Sequence, residues 1–528
     1  MGDLVNISST TEDHDCGPSI NDENTAPPGG CPIEWEAVLQ AIKDDEDGDA
    51  YLLTELLRNE YVFDHAAARW FRFEGHHWKE DRVLEVLVKI EERLIQVYRY
   101  HAQLQGHLKE KAKREGNEEK EKHHEMLEVR LYSRISSLHT LRRKKIVLQL
   151  ATFGSNSLGI TGDEWDQHPW LLGFPNGIYD LKTRKFRNGT PQDYVRKVCA
   201  DEWRGEDCPA PVWERTLLQI FNGKKTLLGF FWRLMGMALI GVVLEHIYII
   251  LWGKGRNGKG TILETIAHVL GPLAGPIRAE TLLDQGRPGS SSAPTSDIMS
   301  LRGMRLVWAS ETDEGRKLNV GKTKYLVGGD TLVGREVYGK HEIKFAPSHT
   351  LFLLTNHLPL VPASDYAFWK RIYLLPFELS FVDTPSLPFE RPRDPNLPTK
   401  LKKEGSGILA WLVRGCLEYQ DRGLDAPEEV RFATREYQKR SDILGKFLEE
   451  CTERNPTAKV QAGQLWDAYG LWCGQNNLQR KSRLWFSDQL SEVYGFKKDG
   501  TGRNVYYIGI ELNEKWKEEL DRRKAVDS

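Results

Sequence analysis

A chain of 528 residues, 40% of them hydrophobic and 10% aromatic, is long enough for roughly three or four packed domains and too apolar to be disordered throughout. A net charge of −3 gives no bulk attraction for nucleic acid, so any such contact falls to local basic surfaces. Seven scattered cysteines without a CxxC pair argue against a structural zinc site or a disulfide scaffold and fit a reducing cytosol. Residues 1–33 read as a disordered tail ending in Ala26-Pro27-Pro28-Gly29-Gly30, without the basic start and apolar core of a signal peptide. The longest apolar stretch, 228–251, is interrupted by Arg233, Glu245 and His246, so it reads as buried protein and no membrane contact is expected.

From Pro32 to Leu57 the pattern is helical, broken by the acidic loop 44–49. An aromatic-rich run, 61–81, predicts short strands around a Glu74-Gly75 turn. Residues 84–150 are helical by periodicity. Their middle, 109–122, alternates charges densely enough to be a solvated helix or a connector, and Arg142-Arg143-Lys144-Lys145 reads as a basic surface cluster. Residues 170–181 predict strand, Asn176-Gly177 turn, strand. Together 34–212 make an N-terminal α+β domain.

Helix, strand and loop then alternate strongly, predicting an α/β core with a largely parallel sheet over 213–395. Within it the apolar strand 247–252 meets Gly253-Lys254-Gly255-Arg256-Asn257-Gly258-Lys259-Gly260-Thr261, of form GxxxxGK, and a helix follows. That context is what a phosphate-binding loop requires. Gly253, Gly258 and Gly260 let successive N–H groups face phosphates, the helix aims its positive end at them, and Lys259 neutralises the β- and γ-oxygens of ATP. The hydroxyl that normally holds Mg²⁺ follows the lysine directly, but here that position is Gly260. Thr261 lies one step on, turned by about 100° around the helix. Either the loop adjusts so that Thr261 reaches the metal, or water takes the place.

Residues 304–311 predict a buried strand ending at Glu311, an acid suited to polarising the attacking water and to helping hold Mg²⁺. The next apolar strand, 350–355, ends at Asn356, whose amide suits orienting that water. Arg371 stands just ahead of a further strand, 373–377, where a guanidinium fork can serve as an arginine finger. Between these strands, two β-compatible stretches flank Gly339-Lys340-His341 and predict a hairpin with a cationic tip. Beyond residue 395 the chain is helical, and 441–528 reads as a small domain closing on a strand at 505–510.

The run from Gly253 to Phe377 resembles superfamily 3 helicases of the phage/plasmid primase–helicase family, related to the poxvirus primase-helicase. The residues that carry the likeness are Asn257-Gly258-Lys259-Gly260-Thr261, Ser310-Glu311-Thr312, Lys324 with Gly328-Gly329-Asp330, Arg335, Leu354-Thr355-Asn356 and Trp369-Lys370-Arg371. It extends upstream to 70–81 and 176–181, and downstream to Asp394-Pro395-Asn396-Leu397 and 407–412. The resemblance implies an AAA+-type P-loop NTPase core over 213–395, preceded by a helicase-associated domain and followed by a helical lid over 396–440 and a winged-helix-like domain over 441–528. It implies a hexameric ring in which Arg371 reaches the neighbour's ATP, 3′-to-5′ movement on single-stranded and forked DNA, and a hairpin whose Lys340 and His341 pair with successive phosphates. Lys324 and Arg335 are open to either the nucleotide pocket or DNA, and the last domain to DNA or protein docking. With no primase-like acidic pair ahead of residue 50, the chain reads as a helicase that borrows a separate primase or polymerase. The expected role is replication of a phage or mobile element in a bacterial cytoplasm. The alternative is a nucleotide-dependent initiator that melts an origin without processive unwinding.

Overall fold

The computed structural model describes residues 31–286, 295–310, 315–335, 342–476, 478–501 and 504–527. They form a mixed α/β protein that divides into two compact units, Met1–Trp165 and Asp166–Ser528.

In the first unit the acidic break is narrower than its composition predicts. Helix Trp35–Lys43 ends and helix Glu46–Leu57 begins with only Asp44 and Asp45 between them. The aromatic run forms the antiparallel strands β1 (Tyr61–Asp64), β2 (Arg69–Phe73) and β3 (Trp78–Glu80), and β4 (Gly159–Ile160) adds parallel to β1. Tyr61 and Trp78 are buried by this sheet, and Trp165 donates its indole N–H to the buried Asp64 carboxylate at 2.7 Å. The long helical region resolves into Ile95–Arg114 and Glu118–Leu138, an antiparallel pair. The turn between them is made by Gly116 at φ 70° and by Asn117, whose side chain accepts the Lys120 N–H. Lys109 reaches across to Glu128 at 2.6 Å, so part of the dense charge run joins the two helices.

The basic cluster is half internal. Asp49 is fully buried and accepts hydrogen bonds from the Tyr98 hydroxyl at 2.5 Å, from Arg134 at 3.1 Å and from Arg143 at 2.6 Å. Lys144 pairs with Glu91 at 2.6 Å. Two of the four cations therefore fasten helices to one another, the stable arrangement for a buried carboxylate.

The second unit opens with an antiparallel meander, β5 (Leu171–Phe174), β6 (Gly177–Asp180) and β7 (Lys185–Arg187), its first turn at Pro175-Asn176, one residue ahead of the Asn176-Gly177 turn that the sequence predicts, because Gly177 already pairs with Phe174. Leu172, Phe174 and Tyr179 share an apolar core with Trp213 and Phe230. Packing therefore places the division of the chain at 165/166, ahead of the change in sequence pattern at 212. In chain order there follow β8 (Tyr248–Trp252), β9 (Ala274–Ile277), β10 (Leu306–Ser310), β11 (Leu332–Gly334), β12 (Ile343–Phe345), β13 (Thr350–Thr355) and β14 (Ile372–Pro376). Five of these make a parallel sheet in the order β14-β8-β13-β10-β9. Its strands are near-continuous apolar runs because both faces are covered. Ile249, Leu251, Trp308 and Phe352 face one core, and Tyr248, Ile250, Val307 and Leu353 face the other.

Helices Lys225–Met237 and Gly405–Arg422 cover the first face and cross at glycines. A Cβ on Gly236 would lie 2.0 Å from Cys416 N, and one on Gly415 2.4 Å from Trp232 O. Strands β15 (Ser380–Val382) and β16 (Glu390–Pro392) pair in parallel beyond the sheet. The C-terminal region has its own apolar core, built on helices Ile443–Cys451 and Ala462–Gln475 and an antiparallel sheet of β17 (Thr452–Gln461), β18 (Lys498–Asp499) and β19 (Tyr506–Leu512). Among the described residues no helix is long and apolar enough to cross a membrane.

Candidate functional site

The C-terminal edge of the parallel sheet gathers most of the residues that the sequence marks. After β8 the chain curves through 253–258 and enters helix Lys259–Leu270 without a spacer. Gly258 caps that helix at φ 87°, and a Cβ on it would meet Ile220 Cδ1 at 2.5 Å, so both backbone and packing demand glycine. The curve is pinned by Gly253 N–H donating to Thr355 O at 3.3 Å, Gly255 N–H to Gly253 O at 2.9 Å and Phe381 N–H to Arg256 O at 2.7 Å. Inside it the Asn257 side chain is buried, and its Nδ2 has no hydrogen-bond partner among the described residues. It is a buried donor without an acceptor beside the positive end of a helix, an arrangement that a bound anion would satisfy.

Lys259 is 6% exposed, and its Nζ donates to Gly253 O at 2.6 Å and to Asn356 Oδ1 at 3.1 Å. Burial pushes its ammonium down to about 8. Asn356 reaches the lysine because β13 lies beside β8, with Thr355 opposite Trp252, and Trp252 Nε1–H also donates to Asn356 O at 3.2 Å. Gly260 is exposed and a Cβ there would meet nothing within 4 Å, whereas Thr261 is partly buried. Ser310 ends β10 at the same edge, opposite Leu354, and is exposed. Glu311 follows it and lies outside the described residues. So do Lys340 and His341, although the stems β11 and β12 pair antiparallel, Leu332 opposite Phe345 and Gly334 opposite Ile343, as a hairpin requires.

Arg371 is placed elsewhere. It precedes β14, which runs parallel to β8, and its carbonyl accepts the Tyr248 N–H at 2.7 Å. It therefore sits at the N-terminal edge of the sheet, separated from its own chain's loop by a five-residue strand of roughly 16 Å. Its Nη1 donates to Ala367 O at 2.7 Å, and its Nε is buried without a partner among the described residues. Lys324, which the sequence leaves open between nucleotide and DNA, is engaged inside the protein. Its Nζ lies 2.8 and 2.7 Å from the two Asp365 oxygens. Arg335 N–H donates to Thr295 Oγ1 at 2.8 Å.

Sequence reasoning overlooks two site features. Asn257 enters the sequence analysis only as part of the motif that carries the resemblance, and nothing there marks its amide as buried and unpartnered. Asp365 caps the helical turn Tyr366–Trp369 by accepting the Phe368 N–H at 3.0 Å, and its signal is an aspartate set just ahead of a short aromatic run.

A family model described as "D5 N terminal like" matches residues 50–222. The mimivirus protein "Putative helicase L207/L206" (Acanthamoeba polyphaga mimivirus) is 24% identical over 425 residues, covering 77% of this chain and 43% of that protein. "Putative helicase 022R" of Frog virus 3 is 24% identical over 430 residues, 67% of this chain and 44% of that one. "Primase D5" of fowlpox virus is 24% identical over 237 residues, 42% and 29% of the two chains. The chain thus spans less than half the length of these curated relatives. Among solved structures, the apo C-terminal region of NrS-1 aligns over 88% of this chain and 100% of that one at 10% identity and a TM-score of 0.45, too loose a likeness to bear on function. These relatives come from viruses of eukaryotes, so the expectation of a phage in a bacterial cytoplasm is corrected: a bacterial host has no support. The D5-like match over the N-terminal region and the viral relatives together liken the chain to the primase–helicases of large DNA viruses.

Proposed function

We propose that the chain is the ATP-driven motor of a viral replicative helicase, with an AAA+-type P-loop core of superfamily 3 that moves along single-stranded DNA as a hexameric ring, 3′ to 5′. The observation that carries this reading is Lys259, a buried ammonium held against Gly253 O and Asn356 Oδ1 at the start of a helix. It is short of negative charge, and the β- and γ-phosphates of ATP supply that charge in the geometry the loop leaves open.

In this reading the loop N–H groups, the Asn257 amide and Lys259 hold the phosphates. Thr261 and Glu311 hold Mg²⁺, which when bound neutralises charge on the phosphate oxygens. One hydroxyl and one carboxylate suit an ion that keeps its waters and arrives bound to nucleotide. Glu311 polarises the attacking water. Asn356 commits its oxygen to Lys259, which leaves its amide N–H₂ to orient that water. Arg371 lies too far along β14 for its own nucleotide, and it acts on the site of the next subunit in the ring. Lys340 and His341 grip DNA at the hairpin tip, residues 396–440 form the lid, and the C-terminal core is a winged-helix-like domain. A primase or polymerase partner completes the replication machinery.

A forked substrate tests the whole. Wild-type protein should displace the labelled strand with ATP and Mg²⁺, and Lys259→Ala should not, although it stays folded. ATP hydrolysis with origin melting but no displacement at any fork would replace the motor by an initiator.

A further inference from the structure

Two side chains adjacent in sequence, Lys324 and Tyr325, face different elements. They lie on helix Val320–Val327, which stands between the hairpin and the turn that carries Arg371. Tyr325 holds the hairpin side: its hydroxyl accepts the Val333 N–H at 2.9 Å and donates to Thr331 O at 3.3 Å, clamping the first residues of β11. Lys324 holds the other side. Its ammonium meets both oxygens of Asp365, and the pair is only about a third exposed on either partner. Asp365 in turn caps the single helical turn Tyr366–Trp369, and Arg371 closes back on that turn through Ala367 O.

These contacts form an unbroken path: hairpin stem, Tyr325, one short helix, Lys324, Asp365, capped turn, Arg371. Every link is a hydrogen bond or ion pair to a rigid element, which is the kind of contiguous network that can transmit a displacement. The helix between the hairpin and the turn has only eight residues and is clamped through two adjacent side chains.

We propose that Lys324 is a positioning residue whose ion pair with Asp365 ties the DNA-facing hairpin to Arg371, so that DNA held by one subunit sets the arginine offered to its neighbour's ATP. This rests on the motor reading above for the roles of the hairpin and of Arg371. The Lys324 ammonium is committed to the two Asp365 oxygens. With a neutral residue at 324, Asp365 would keep its cap but lose the partner that fixes the turn.

The experiment measures ATPase activity of the full chain with and without single-stranded DNA, the KM for ATP and the affinity for DNA. Lys324→Met should lose most of the DNA stimulation, at least about tenfold of it if stimulation is strong, as a fall in kcat with KM and DNA affinity held. Asp365→Asn should do the same, because asparagine keeps the helix cap and removes only the ion pair. Lys324→Arg should restore stimulation, and Tyr325→Phe combined with Lys324→Met should be no worse than Lys324→Met alone. Undiminished stimulation in both Lys324→Met and Asp365→Asn overturns the proposal, as does a loss of DNA affinity, which would make Lys324 a DNA contact. Wild-type protein without DNA-stimulated hydrolysis overturns the motor reading itself, and that result is separable because it appears before any variant is made.

Discussion

Lys259 gives the site its pH dependence. Folding lowers its pKa to about 8, below the roughly 10.4 of a free lysine, so the unfolded chain holds the proton more tightly between those values. Stability from this group therefore rises as pH climbs from 8 towards 10, the reverse of a lysine that gains a carboxylate. A phosphate in the loop restores the charged form. Nucleotide binding should consequently take up a proton at pH 8.5 and weaken as pH rises further. Calorimetry in buffers of different ionisation enthalpy should register that uptake in the wild type and not in Lys259→Ala. At this scale the sequence is most readable where chemistry and spacing coincide, as at 253–261 and Asn356. It is unreadable where a partner lies far along the chain. Nothing near Asp49 announces that residues 134 and 143 will neutralise it, and Lys324 carries no mark of its pairing with Asp365. Asp49→Ala should leave two arginines facing a buried apolar space and destabilise the first unit by about 3–5 kcal/mol, seen as an early transition in urea unfolding.

Elements are legible in proportion to their apolar content. The strands β8, β10, β13 and β14 are buried on both faces and declare themselves as unbroken hydrophobic runs, close to where the sequence places them. β9 reads Ala-Gly-Pro-Ile and gives no strand signal. It is an edge strand, where a proline is tolerated because one side of the ladder needs no donor. β17 escapes for the opposite reason: it is polar nearly throughout and is made a strand by pairing with β19. The hairpin is readable from its stems, which do pair, and the proposed DNA contact lies at its tip. Lys340→Ala with His341→Ala should leave ATP hydrolysis without DNA largely intact, stop unwinding, and make the salt dependence of single-strand binding shallower by about 0.7 for each phosphate no longer neutralised. Filter binding over a range of salt concentrations measures that slope directly.

At the scale of the whole molecule, sheet topology decides what one chain can do alone. The loop and Asn356 lie at one edge of the parallel sheet and Arg371 at the other, so in the proposed ring a monomer would hold two halves of different catalytic centres. Mixing Arg371→Ala subunits with Lys259→Ala subunits, each inactive alone, should recover part of the ATPase activity, since some interfaces then pair an intact loop with an intact arginine. Absence of recovery in rings verified as mixed would place the arginine in a structural role. The same edge-to-edge separation is legible in outline from the order of motifs along the chain. Its extent needs the strand register, which no sequence pattern specifies.

The buried lysine has one more property. An amine with a pKa near 8 is unprotonated in about half of the molecules at that pH, and an unprotonated amine is a nucleophile. Bulky water-soluble reagents cannot reach a side chain so enclosed, but an adenosine analogue carrying an arylsulfonyl fluoride would deliver its electrophile along the path proposed for ATP. The amine attacks sulfur, fluoride leaves, and a stable sulfonamide remains on residue 259. Peptide mapping should find that single adduct, formed faster at pH 8.5 than at pH 7 and suppressed by ATP, which would turn the loop into a covalent handle for trapping and counting engaged subunits.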